Sequence, residues 1–425
     1  MKKESNFQGT QADGSNLLGL NVGTPSTDGA VTGLDRWLVK TALRLAGNPD
    51  LTVRLWNGET FAGSNNPQIA TFEILSRKTL WLLVVNPDLQ FGDAFSAGVL
   101  SIEGDLIRAM ETLYAGTRRS MPPGSAKRRL SELMNLPRRN SKRDSLNNIH
   151  HHYDLGNDFY RLWLDPNMVY TCAYYPRPDA TLEEAQVAKL DHVCKKLQLS
   201  PGQHVVEAGC GWGALAIHMA KHYGVHVHAY NISHQQIVFA RERAIQAGVA
   251  DQVTFVEDDY RNIRGQFNAF VSVGMLEHVG VNNYRELGKV ASNALMDGGR
   301  GLIHTIGRNS PAGNNAWIER RIFPGSRPPS LSEMTKIFEP HELAVLDVEN
   351  LRLHYGKTCE AWLRRYQSAI DTVREMYDEQ FARAWSLYLA GSAAAFTSGS
   401  LQLFQVVFSQ PQDNTVPMTR EHLYS

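Results

Sequence analysis

Glu207-Ala208-Gly209-Cys210-Gly211-Trp212-Gly213 places three glycines between a run of strand character and a run of helix character. His204–Ala208 reads as a strand and residues 213–223 as a helix, so the glycines fall in a strand-to-helix turn. Glycine there permits positive φ and lets a ligand approach the backbone closely. The helix behind presents free N–H groups to a carboxylate or phosphate. The spacing is G-x-G-x-G, not the G-x-G-x-x-G of dinucleotide folds. Glu207, two residues before the first glycine, is placed to engage a cationic amino group. Together these features suit the aminocarboxypropyl end of S-adenosylmethionine better than a pyrophosphate, with Glu207, Gly209, Cys210, Gly211 and Gly213 as candidate cofactor-binding residues. Alone, the turn is equally compatible with a tight structural turn.

Strand and helix signals alternate outward from it. Strands are expected at 225–231, Val253–Glu257, 269–273 and 302–306, with helices at 233–247 and 282–295. That alternation predicts an α/β fold, a mostly parallel sheet with helices on both faces. Two helical stretches at 359–375 and 379–395 and a last strand at 401–408 follow. Upstream, Leu51-Thr52-Val53-Arg54-Leu55-Trp56 alternates like a half-buried strand ahead of an Asn57-Gly58 turn. Strand-like runs at Ala70–Ile74 and 98–104 and a helix at 105–114, ending near Gly116, complete a small α+β unit at 34–115. Residues 1–33, poor in apolar side chains, are expected to be disordered. Residues 116–145 read as a linker, and 146–425 as the main domain.

With 425 residues, 43 basic and 43 acidic side chains and 43% hydrophobic residues, the chain reads as a globular protein with no net pull toward anions. The charge is uneven. Arg118, Arg119, Lys127, Arg128, Arg129, Arg138, Arg139, Lys142 and Arg143 are opposed only by Glu132. Such a cluster attracts an anionic membrane surface at roughly 1 kcal/mol per basic residue, and it also fits a solvated linker. No nucleic-acid motif accompanies it, so no nucleic-acid partner is expected. No apolar run reaches membrane-span length, and no secretory h-region follows the first lysines. Cys172, Cys194, Cys210 and Cys359 lie far apart, in neither a disulfide nor a zinc framework. His150-His151-His152 has no zinc spacing around it, and no metal is expected. A cytoplasmic protein, peripheral on the inner face of the membrane, is the resulting expectation.

Several further stretches resemble the cyclopropane-fatty-acid synthases. They are Tyr153-Asp154-Leu155-Gly156-Asn157-Asp158-Phe159-Tyr160, Tyr170-Thr171-Cys172-Ala173-Tyr174, residues 271–280 (VSVGMLEHVG), His304-Thr305-Ile306-Gly307 and residues 402–409 (QLFQVVFS). The likeness runs from about residue 146 to the C-terminus. The N-terminal unit is similar to the lipid-binding, sterol-carrier-like module of the members that modify phospholipids. The resemblance implies a class I S-adenosylmethionine-dependent methyltransferase with a Rossmann-like, seven-stranded sheet. Its reaction would transfer a methylene from S-adenosylmethionine to the cis double bond of an unsaturated phospholipid acyl chain. A homodimer is implied in the same way.

Cofactor contacts implied by the resemblance are Tyr170, Thr171, Gly209, Gly211, Asn231, Gln236, Asp259 and Tyr260. Asn231 stands where many nucleotide folds carry an acidic ribose ligand; its amide can still donate and accept to a diol. The resemblance also implies a bicarbonate ion as catalytic base, held by Glu277, His304 and Tyr355 with backbone help at Cys172 and Ile306. Bicarbonate keeps one O–H that can donate to Glu277 while His304 and Tyr355 donate to its oxygens. Taken singly, each also fits a bland role: a capping carboxylate, a hydrogen-bonded core histidine, a core tyrosine. His278 is expected to point away from the site. Phe159, Trp163, Tyr174 and Tyr175 are candidates to stabilise a cation on the acyl chain. The family usually carries a cysteine in the late helix, where this chain has Ser392, so no thiol role is expected there. A methyl-branched lipid product, a small-amine methyltransferase and a non-catalytic lipid-binding protein are the alternatives the sequence leaves open.

Overall fold

A computed structural model describes residues 29–120 and 155–424. The first unit opens with α1 (Gly33–Leu45), capped by Thr32, whose hydroxyl accepts from the Asp35 N–H while the Asp35 carboxylate accepts from Thr32 N. The expected disordered tail therefore stops short: Val31 is buried, and Trp56 Nε1 donates to the Gly29 carbonyl. Residues 1–28 lie outside the described residues.

Strands β1 (Leu51–Leu55) and β2 (Thr60–Ala62) form a hairpin over Asn57-Gly58, and Gly58 takes a φ of 86° that a side chain would resist. β3 (Ala70–Ile74) pairs parallel to β1, and helices α2 (Arg77–Val85) and α3 (Pro87–Ser96) precede β4 (Leu100–Gly104), giving the order β2-β1-β3-β4. Helix α4 (Leu106–Ser120) corrects one boundary: Gly116 does not end it. The glycine lies inside the helix where it crosses residues 46–47, and a Cβ there would sit 2.1 Å from the Ala46 carbonyl oxygen. The expected linker thus loses residues 116–120, and its remaining basic residues lie outside the described residues.

The second unit runs through α5 (Asn157–Arg161), α6 (Leu182–Leu197), β5 (His204–Ala208), α7 (Ala214–Tyr223), β6 (His226–Asn231), α8 (His234–Gln246), β7 (Val253–Glu257), β8 (Phe267–Val273), α9 (Leu276–Val279), α10 (Tyr284–Ala294), β9 (Leu295–Gly307), α11 (Leu331–Phe338), β10 (Ala344–Asn350), α12 (Arg352–Ser368), α13 (Ile370–Met376), α14 (Glu379–Thr397) and β11 (Gln402–Ser409). The sheet order is β10-β11-β9-β8-β5-β6-β7, and β11 alone is reversed among the described strands of this sheet. Covered on both faces, the central strands are apolar almost throughout, as in Val205-Val206 and Phe270-Val271. The order turns back between β5 and β8. Ligands bind at such a switch point, beyond the carboxyl ends of the strands.

The two units share one core. Gly92 of α3 lies so close to Trp317 that a Cβ would stand 2.3 Å from the indole. Arg321 pairs with the buried Asp93 at 2.9 Å, and Arg383 of α14 donates to the carbonyls of Phe95 (2.7 Å) and Leu100 (3.0 Å).

Candidate functional site

Glu207 is the penultimate residue of β5 with its side chain buried, and the following turn gives Gly209, Gly211 and Gly213 positive φ values of 85°, 52° and 80°. Glu207, Gly209, Cys210 and Gly211 line a pocket of about 140 Å³ with Tyr170, Thr171, Asn231 and Gln236. A Cβ on Gly211 would meet nothing within 4 Å, so the backbone there faces open space. Burial pushes the Glu207 carboxyl up to about 8 against the opposing pull of Lys189, and its Oε2 has no hydrogen-bond partner in the protein. Asn231 Nδ2 donates to the Gly211 carbonyl (3.1 Å) and to Gln236 Oε1 (2.8 Å), leaving Gln236 Nε2 buried without a partner. A carboxylate at one end and an amide donor at the other fit the amino group and ribose diol of S-adenosylmethionine.

Three expected contacts stand off this wall. Gly213 serves packing, for a Cβ would lie 2.8 Å from Ala240 and the Phe255 ring. Asp259 caps the turn after β7 and is tied to Arg261 at 3.2 Å, and Tyr260 is buried beneath that guanidinium. Conversely, Lys189 of α6 was not singled out from the sequence. It lines the pocket and donates to Thr171 Oγ1 at 3.1 Å, and burial lowers its ammonium to about 8. No helix was expected over 182–197, so nothing in the sequence marked this lysine as inward-facing.

Beyond Tyr170, Thr171, Gly274 and His278, which belong to both, the pocket adjoins a second cavity of about 530 Å³. His278 was expected to point away; burial instead holds it at this junction and lowers its imidazole to about 4. One side of the cavity is catalytic-unit backbone and side chain, including Glu277, Ile306, Tyr355, Tyr388 and Ser392. The other comes from the N-terminal unit, with Leu43, Val53, Phe72, Leu80 and Phe91 among its apolar residues. Tyr170 and Tyr388 meet through their hydroxyls at 2.9 Å.

Glu277 sits in α9, just past the end of β8. There β8 stops opposite His304, and the N–H of Ile306 donates to Glu277 Oε1 at 2.5 Å. Burial raises Glu277 to about 7, although hydrogen bonds from its own backbone and from Ile306 oppose the rise. Glu277 Oε2 has no partner. Tyr355 stacks on Phe396 (centroids 4.4 Å apart), and burial, with Cys359, Tyr388, Cys172 and Glu277 around it, pushes its hydroxyl well up. Cys172 is fully buried beside this site, its Sγ near the carbonyls of Ala173 (3.1 Å) and Leu351 (3.9 Å), and burial raises its thiol far above the usual range. His304 does not line the cavity. It lies two residues before Ile306 on β9, with Nδ1 on Gln405 (3.0 Å) and Nε2 buried without a partner.

The four aromatic candidates for a cation are elsewhere. Phe159 and Trp163 are wholly buried in a cluster with Trp362 and Trp385, Tyr174 stacks between His192 and His354, and Tyr175 receives Lys357 over its ring. Tyr170, Phe323, Tyr355, Tyr388 and Phe396 are among the aromatic rings that do line the cavity. Early-chain aromatics looked available because sequence spacing does not reveal which side of a helix pair faces the hollow.

Sheet order, switch-point turn and buried pocket carboxylate together define a class I S-adenosylmethionine-dependent methyltransferase. More narrowly, the chain belongs to the mycolic acid cyclopropane synthetase family, whose profile matches residues 140–406. It is 35% identical over 393 residues to a probable fatty acid methyltransferase of Pseudomonas putida, covering 88% of this chain and 96% of that one. It is 42% identical over 270 residues to the cyclopropane-fatty-acyl-phospholipid synthase of Escherichia coli K12, covering 63% and 69%. Among solved structures it is similar to the cyclopropane synthase MmaA2 of Mycobacterium tuberculosis, with TM-score 0.60 and 27% identity over 62% of this chain and 98% of that one. The mycolic acid cyclopropane synthase CmaA1 in complex with SAH matches at TM-score 0.58 and 30% identity, over 62% and 97%.

Proposed function

We propose that the protein converts the double bond of an unsaturated phospholipid acyl chain into a cyclopropane ring, with the acyl chain housed in the cavity between its two units. One observation carries this reading: the cofactor pocket and a mostly apolar cavity of about 530 Å³ share Tyr170, Thr171, Gly274 and His278, and a buried carboxyl, Glu277, stands in the cavity wall. A small amine substrate would need neither that apolar volume nor the N-terminal wall.

When bound, S-adenosylmethionine supplies an electrophilic sulfonium methyl. Glu207 and Gln236 would hold its polar ends, and Tyr170 and Thr171 would face its methyl toward the cavity. Fixing donor and alkene in line is worth roughly 7–11 kcal/mol of barrier. Alkylation leaves a carbocation that water would trap, and the apolar walls exclude water. Rings of Tyr170, Tyr355 and Tyr388 would stabilise positive charge at roughly 0.5–2 kcal/mol each. A proton must then leave the new methyl group. Glu277 and Tyr355 line the cavity, and Glu277 Oε2 and His304 Nε2 are both buried without partners; these three residues would hold a bicarbonate ion at the cavity wall, and the ion would supply a base. The N–H of Ile306 holds Glu277 in place rather than the ion.

Access from a bilayer is supported by α1 and α2, which wall the outer part of the cavity and expose Leu34, Trp37, Trp81 and Val85. No helix among the described residues is long and apolar enough to cross a membrane. The test offers S-adenosylmethionine and vesicles of monounsaturated phospholipid to the protein, with small amines alongside. Phospholipid gaining the mass of one CH₂ and losing its alkene reactivity supports the reading. A gain of CH₂ with the alkene retained points to a methyl or methylene product, and methylated amine alone overturns it.

A further inference from the structure

Strands β9, β11 and β10 lie side by side, and their register sets His304, Gln405 and Glu349 opposite one another across three strands. Helix α6 covers that row with His192 and Lys196, one turn apart. Gln405 Nε2 lies 3.0 Å from His304 Nδ1, and Lys196 Nζ donates to Gln405 Oε1 at 2.7 Å and to Glu349 Oε2 at 2.5 Å. His192 Nε2 lies 2.8 Å from the same Glu349 oxygen. Gln405 and His304 have 0% and 1% exposure, so water does not replace these partners.

The chemistry of the groups fixes the protons. An ammonium only donates, so Lys196 pins the oxygen end of the Gln405 amide and turns the NH₂ end toward His304. An NH₂ group does not accept, so His304 Nδ1 must be the acceptor. We propose that Lys196 and Gln405 form a tautomer lock, positioning residues that hold His304 neutral with its proton on Nε2, ready to donate to an anion beside Glu277. Glu349 secures the other end of the lock. Burial opposes its charge, yet His192 and Lys196 hold its carboxyl at about 2. Burial keeps the His304 imidazole uncharged, and Lys189, Lys196 and His192 oppose a positive charge there while Glu349 favours one. The tautomer follows from the geometry alone; that the reaction uses it rests on the proposed function.

Nitrogen-15 NMR of the full chain, labelled at histidine and assigned with His304→Gln, reads the tautomer without lipid present. The wild type is expected to show pyrrole-type Nε2 and pyridine-type Nδ1 at His304. Gln405→Glu puts an acceptor where the amide donor stood, and the tautomer should invert to Nδ1–H. Turnover on unsaturated phospholipid should then fall at least about 100-fold, the low end of what a positioned proton-transfer group contributes. S-adenosylhomocysteine affinity should stay within about twofold, because Gln405 is not in the cofactor pocket. Lys196→Met, which frees the amide to flip, should give a mixture of tautomers. A wild-type His304 protonated on Nδ1, or an unaltered tautomer in folded Gln405→Glu, overturns the lock. Inversion without loss of turnover overturns its role in the reaction. A wild type that modifies no lipid sinks the functional reading instead, and leaves the tautomer measurement standing.

Discussion

Replacing Glu277 by Gln removes a charge that the fold makes costly, and the cost can be followed with pH. The carboxyl ordinarily titrates near 4.5, and burial raises it to about 7 in the folded chain. Below pH 4.5 it is protonated in both states and contributes no penalty. As pH rises toward 7 the unfolded chain ionises while the folded chain must keep the proton or bury a charge, so stability is lost across that window. At 1.36 kcal/mol per unit, the loss is about 3 kcal/mol and constant above pH 7. Glutamine keeps the carbonyl oxygen that accepts from Ile306 and has nothing to titrate. Urea denaturation of wild type and Glu277→Gln at pH 5, 6, 7 and 8 measures the difference, in which every other group cancels. The variant should gain about 3 kcal/mol on the wild type between pH 4.5 and 7.5. In parallel, turnover should fall at least about 100-fold with cofactor affinity intact. Stability curves that stay parallel over the window would refute the buried, protonatable carboxyl on which the site depends.

Gly211→Val should weaken S-adenosylmethionine binding at least about 10-fold by calorimetry, because φ is positive there and the new side chain enters the space the pocket needs. Leu80→Trp, a filling substitution on the N-terminal wall 1% exposed to solvent, should cost about 1–3 kcal/mol of stability. It should also cut turnover on phospholipid while leaving cofactor affinity unchanged; equal losses would make that wall merely structural. Arg321→Ala leaves the Asp93 carboxylate buried and unpaired. Its cost should be about 2 kcal/mol, below the roughly 3–5 of a fully buried pair because Arg321 keeps 21% of its side chain exposed. Limited proteolysis should then cut between the units sooner than in the wild type.

The cofactor half of the site was legible because its signals are local. A strand, a glycine turn and a helix follow one another in sequence, and Glu207 and Asn231 lie at the carboxyl ends of adjacent parallel strands, Glu207 one residue short of its end. The larger cavity was not, because elements from α1 to α4 and from β9 to α14 wall it, and only tertiary packing brings them together. Helix α6 escaped the sequence reading for a different reason. Its inward face carries Lys189, His192 and Lys196, all nearly buried, and polar residues break the apolar period that announces a helix. Edge strand β10 was missed likewise: Asp347 and Glu349 interrupt it, and it is only partly buried. Gly116 misled in the opposite direction, since a glycine needed for close helix contact looks the same in sequence as one that ends a helix.

A crystal structure of the full chain with S-adenosylhomocysteine and a monounsaturated acyl lipid would decide whether the cavity houses the acyl chain. One continuous chain of lipid density is expected, running from the α1–α2 side past Leu80 and Phe91, with its double bond at the Tyr170–Gly274 junction facing the sulfur. Lipid bound only on the outer surface, or a cavity that closes when the cofactor product is present, would contradict it.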